Sequence, residues 1–146
     1  MHTRRLAAIL LTITLLLSGC ILDDKDNQFT GSDSASAITD NMNDDLADIV
    51  MNEGNISWSE LRIAMDESDS DEKTCTSSNQ ESSSSCIYDE DNDPYWSAGE
   101  TITIRENGVG LCGAGDNGGC KMTFIIKTMN ADGEEKVLQE IKVTVQ

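Results

Sequence analysis

Residues 55–146 of this chain are expected to form a mainly β fold, a small antiparallel β-sandwich, and three observations carry that expectation. Apolar residues alternate with polar ones in several short segments, which is the two-residue period of a half-buried strand. Asn-Gly and Asp-Gly turn chemistry separates some of these segments. Four cysteines fall in two close pairs, Cys75 with Cys86 and Cys112 with Cys120, as in a stapled extracellular domain.

The first segment, residues 1–19, has the layout of a secretory signal: basic Arg4 and Arg5, an apolar run from Leu6 to Leu17, then Ser18 and Gly19. The run is short for a bilayer span, although extending it to Leu22 reaches the lower edge of one. The tetrad Leu17-Ser18-Gly19-Cys20 resembles the lipobox of lipoproteins, a leucine and two small residues ahead of a cysteine. That resemblance implies a diacylglycerol on the Cys20 thiol and cleavage just before it. Cys20 would then seek no disulfide partner, which explains why five cysteines, an odd number, serve a secreted chain. A retained, uncleaved anchor is the alternative.

Residues 20–54 are expected to hold the domain away from the membrane. From Asp23 to about Ala37 the chain is rich in Asp, Ser and Asn, the composition of a solvated spacer. Ile38, Met42, Leu46, Ile49 and Val50 then recur at spacings that predict one face of a short helix ending near Gly54.

Within the domain, Ile56 and Trp58 and then Leu61, Ile63 and Met65 alternate with one slip, which predicts a strand with a bulge or bend. Ile102 and Ile104, then Met122, Phe124 and Ile126, and finally Ile141, Val143 and Val145 mark three further strands. Asn107-Gly108 and Ala131 to Gly133 supply turns between them. Cys75 and Cys86 flank a Ser, Asn and Glu loop, and Cys112 and Cys120 flank a glycine-rich one, so sequence-local pairing is expected. Each bridge would close a loop of about ten residues and contribute on the order of 2 to 3 kcal/mol.

Charge narrows the function. With 27 Asp and Glu against 10 Lys and Arg, the chain carries −17 at pH 7 and lacks the clustered cations that nucleic acid requires. An anionic lipid surface would repel it, so membrane attachment falls to the acyl chains on Cys20. The only histidine is His2, inside the signal, which removes Ser-His-Asp and Cys-His chemistry and a histidine ligand for zinc. An enzyme is therefore not expected, and the acidic surface reads as a solubilising one.

One acidic stretch raises a metal hypothesis. In DEDNDPYWSAGE, residues 89–100, Asp89, Asp91, Asp93 and Glu100 occupy the first, third, fifth and twelfth places of a calcium loop. Pro94 stands where such a loop needs a glycine with positive φ, which counts against the match. The reading is thus no obligatory cofactor, with calcium as the ion this spacing would take. Asp66 to Glu72 reads as a charged loop, Gly108 to Gly119 as turns bracketed by a disulfide, and Asn55-Ile56-Ser57 as a glycosylation acceptor pattern. Trp58 and Trp96 could form a sugar platform but are more economically read as core.

Trp58 with Leu61, the cysteine-bounded acidic loop, the run Trp96 to Ile104 and the alternating strands that follow resemble the secreted β-domains of archaeal type IV pilin-like proteins. The resemblance spans about residues 56–146 and implies a non-catalytic surface domain. The amino terminus departs from that family, because Asp23 and Asp24 stop the apolar run early. The expected function is a lipid-anchored, extracytoplasmic protein with a structural or adhesive role. Two alternatives stand beside it: a pilin-like subunit with cell-surface or filament partners, and a module binding calcium or a solute.

Overall fold

The alternation read in the sequence becomes strands throughout. In the computed structural model, residues 28–34, 36–67, 71–80, 83–113 and 119–146 are described, and Glu67 by its backbone alone. Ten strands follow one another in these residues: β1 (Phe29–Asp33), β2 (Asp45–Met51), β3 (Asn55–Ser57), β4 (Leu61–Glu67) and β5 (Lys73–Ser77), then β6 (Cys86–Tyr88), β7 (Tyr95–Ser97), β8 (Thr101–Glu106), β9 (Cys120–Met129) and β10 (Glu135–Val145). Among the described residues there is no helix.

Eight strands form one sheet in the order β1-β2-β8-β6-β5-β4-β9-β10, and β3 pairs with β7 in a separate ribbon. The long sheet folds back on itself through β5. Lys73 to Cys75 pair with Met65 to Ile63 of β4, whereas Thr76 and Ser77 pair with Ile87 and Tyr88 of β6. One strand thereby belongs to both layers of the sandwich. The β5–β6 pair is parallel, an exception in a fold otherwise antiparallel and expected to be wholly so.

The inward faces carry the expected residues. Ile63, Ile104, Phe124, Ile126 and Trp96 are fully buried, with Ile141, Val143 and Val145 beside them. Burying side chains of this size stabilises by about 1.5 to 3 kcal/mol each, and the layers gain most of their cohesion this way. The slip expected between Trp58 and Leu61 is a turn over residues 58–60 that separates β3 from β4.

The short helix expected between Ile38 and Gly54 is absent, and residues 45–51 form β2 instead. A register shift against β8 between Asp45 and Ala47 turns both Leu46 and Ala47 inward, and ordinary alternation then buries Ile49 and Met51. The bulge stretches one interval of the pattern to three residues and so imitates helical spacing. Met42, assigned to the same apolar face, is 53% exposed. The acidic spacer also proves to be partly structural: Phe29 of β1 is buried in the core and packs against Trp96 with ring centroids 5.3 Å apart. The folded unit therefore takes in β1 and β2, which were expected to precede it.

The two outer strands of the long sheet, β1 and β10, meet at one side of the sandwich. Gly31 makes this approach possible, because a Cβ there would overlap Ile141 Cγ2 and stand 3.1 Å from Val143 Cγ2. The Gln139 side-chain amide completes the seam by accepting from Phe29 N at 2.9 Å and donating to Phe29 O at 2.8 Å. Backbone groups at a strand edge, open to pairing with another chain, are satisfied from within.

Candidate functional site

The four domain cysteines pair locally, Cys75 with Cys86 and Cys112 with Cys120. The first pair does more than flank a loop. Cys75 and Cys86 sit inside β5 and β6 and are buried, so this bridge clamps two neighbouring strands. Cys112 and Cys120 close the glycine-rich segment, and Cys120 opens β9. Cys20, the expected lipidation site, lies outside the described residues, as does the whole signal segment.

Three acidic residues of 89–100 meet local partners. Asp89 accepts a hydrogen bond from Ser78 Oγ at 2.5 Å and forms an ion pair with Arg105. Asp93 accepts from Tyr95 N at 3.2 Å, closing a short turn around Pro94, and its carbonyl accepts from the Trp58 indole at 2.7 Å. Glu100 accepts from Ser97 N at 2.6 Å while Gly99, at φ 89°, turns the chain into β8. Asp91 is exposed. Among the described residues no three carboxylates converge as a metal site would require, and Asp89, Asp93 and Glu100 each serve a local turn or strand contact. Trp58 and Trp96 are both buried and stack with centroids 6.3 Å apart, which makes them core. Asn55 stays exposed at the start of β3.

Two features were not read from the sequence. The first is Glu106, the last residue of β8, which is buried at 1% exposure. Its Oε1 accepts from the amides of Leu111 and Cys112 at 2.6 and 3.0 Å, and its Oε2 has no hydrogen-bond partner. The Ile102, Ile104, Glu106 alternation puts this carboxylate on the inward face, and the sharp return after Gly108 brings the two amides to it. A glutamate in phase with buried isoleucines was the available signal.

The second is a groove of about 300 Å³ where β5 leaves β4 to join β6. Ladder pairing stops at Ile63 with Cys75, so Leu61 and Ser77, which the register would place opposite each other, are left apart. Leu61 and Tyr88 give the cleft its apolar base, and Tyr88 stacks on Trp58 with centroids 6.3 Å apart. Arg62 Nη1 donates to the carbonyls of Ser59 and Leu61 at 3.1 and 2.6 Å and its other nitrogen reaches Met129 Sδ, so among the described residues it meets no carboxylate. Burial chiefly, and then the Glu90 charge, push the Tyr88 phenol up to about 12 against the opposing charge of nearby Arg62. The phenol is therefore a protonated hydrogen-bond donor at any physiological pH. No part of this cleft shows as a local motif, because it arises from strand pairing that is not local in sequence.

No family model matches the chain, and neither a curated protein nor a solved structure matches it.

Proposed function

We propose that this protein is a lipid-anchored, extracytoplasmic surface protein whose domain has a structural or adhesive rather than catalytic role. The observation that carries the reading is the distribution of its cysteines. Cys75, Cys86, Cys112 and Cys120 are consumed in two bridges inside one domain, which leaves Cys20 as the single thiol, behind Leu17-Ser18-Gly19. Disulfides of this kind belong to oxidising compartments, and a lone cysteine after small residues suits a lipid acceptor. The absence of any histidine beyond His2 supports the non-catalytic part. A stapled domain in a chain of charge −17 repels both its copies and anionic surfaces, which suits a soluble head carried on an anchor.

Intact-mass spectrometry of the full-length protein taken from membranes tests this. The expected species begins at Cys20, carries acyl mass, and is four hydrogen atoms lighter than the reduced chain. The Cys20→Ala protein should lose the acyl mass and leave the membrane fraction. A native protein that begins at Met1, or a Cys20→Ala protein retained in the membrane, removes the proposal.

A further inference from the structure

The cleft between β4 and β5 has a lining unlike the rest of the molecule. Acidic residues outnumber basic ones 27 to 10 across the chain, yet none of the described residues lining this groove is acidic and one of the few arginines is among them. Thr74 and Gln80 add a hydroxyl and an amide at its wall, and Leu61, Cys75 and the Trp58 indole add an apolar base. Tyr88 as a whole is 4% exposed, and its hydroxyl donates to no group among the described residues. Its oxygen is not one of the buried, unpartnered side-chain atoms of the described residues, so it reaches solvent, where a ligand acceptor can replace water.

The chemistry of the occupant follows by elimination. A cation would find no carboxylate among the described residues of the lining. An anion would have to approach through the field of a chain carrying −17. A neutral ligand escapes both objections. Hydroxyl groups would accept from the guanidinium and phenol and exchange hydrogen bonds with Thr74 and Gln80, while an aliphatic ring face would cover Leu61. A volume of about 300 Å³ lies at the small end of ligand sites, which limits the occupant to one or two rings.

We propose that the split between β4 and β5 is a binding site for a neutral polyhydroxylated ligand, a sugar unit, with Arg62 and Tyr88 as its principal hydrogen-bond donors. This deepens the adhesive reading and rests on it only for its setting. A ligand of about a dozen heavy atoms at the efficiency of ordinary small ligands binds in the millimolar range.

The test uses the full-length chain in a non-glycosidic detergent and follows tryptophan emission, since Trp58 stacks on Tyr88 at the cleft. Glucose, galactose, mannose and N-acetylglucosamine, with glucuronate as the anionic comparison, are titrated to about 50 mM, well above the expected Kd. At least one neutral sugar should give a saturable change. Tyr88→Phe, which keeps the ring, should weaken that binding by about fivefold, the loss of one hydrogen bond. Arg62→Gln should weaken it by at least as much, whereas Lys142→Ala, outside the cleft, should leave it unchanged. Absence of a saturable response to every neutral sugar overturns the proposal, as does a response to glucuronate alone or equal binding by both cleft variants. The Cys20→Ala chain should bind the same sugar as the parent, so failure of the anchor and failure of the cleft are read separately.

Discussion

Two disulfides close two loops of similar length, and they stabilise the molecule in different ways. Cys75–Cys86 spans 11 positions and Cys112–Cys120 spans 8, so loop-closure entropy assigns them about 2.8 and 2.5 kcal/mol, too close to separate them. The folded surroundings do separate them. Cys75 and Cys86 lie within strands whose neighbours, β4 and β8, hold them in place through ladder hydrogen bonds. Cys112 has no ladder, and its segment is tied to the sandwich by two amides that converge on Glu106. A loop flanking a strand needs only a clamp, whereas one leaving the sheet must bring its own buried acceptor to satisfy its amides.

The sharpest way to break this comparison is Glu106→Ala. It strands the amides of Leu111 and Cys112 and opens a void, and should cost about 3 kcal/mol, a melting shift of roughly 12 °C for a domain of this size. Hydrogen exchange of those amides should accelerate with both disulfides intact. A loss below about 1 kcal/mol would mean that the bridge alone orders the loop.

Removing each bridge comes next. Cys112→Ala with Cys120→Ala should cost about 2 to 3 kcal/mol, and so should Cys75→Ala with Cys86→Ala. The separation lies in exchange rates. Leu111 and Cys112 should stay protected without their bridge because Glu106 still accepts from them. If that protection is lost, the anchor is the disulfide and not the carboxylate.

Alkaline titration sharpens the first region, because Tyr88 follows Cys86 by two positions in β6. Its phenol is raised from 10.0 to about 12, so the folded chain holds that proton more tightly than the unfolded one. The stability this supplies is complete below pH 10 and is lost as pH rises through about 12, on the order of 2 to 3 kcal/mol in all. Lys127, held above its usual range chiefly by its hydrogen bond to Glu72, adds to the loss in the same direction. Chemical denaturation at about pH 9 and pH 11.5 should show the decline in the parent and a smaller one in Tyr88→Phe. An equal decline in both would assign it elsewhere.

Asp89→Asn should have the smallest effect. Asp89 pairs with Arg105 and Ser78 at the same corner, but it is exposed and screened, and its loss should cost under about 1 kcal/mol. Calorimetric titration of the parent chain with calcium checks the same residues as ligands. The contacts of Asp89, Asp93 and Glu100 within their own turns predict no heat at millimolar ion.

Much of this fold was legible residue by residue. Ile102 and Ile104, or Phe124 and Ile126, declare strands because adjacent side chains of an extended backbone point to opposite faces. Local cysteine pairing could be read for a similar reason, since a short loop limits how far two thiols can part. The β2 segment misled through a single bulge, which changes the spacing of Leu46 and Ile49 without changing the strand. Phe29 was hidden among polar neighbours, so composition assigned β1 to a spacer.

The sequence by itself determined which segments extend, which face of each is apolar and which cysteines lie close enough to join, because these depend on residues within a few positions of one another. Only the tertiary structure decided that β5 deserts β4 for β6, that Gly31 admits Ile141, and that Glu106 meets the amides of Leu111 and Cys112. Those outcomes depend on which strand lies beside which. Strand partnership is set by how the apolar faces of the whole chain can be covered at once, a condition that no short stretch contains.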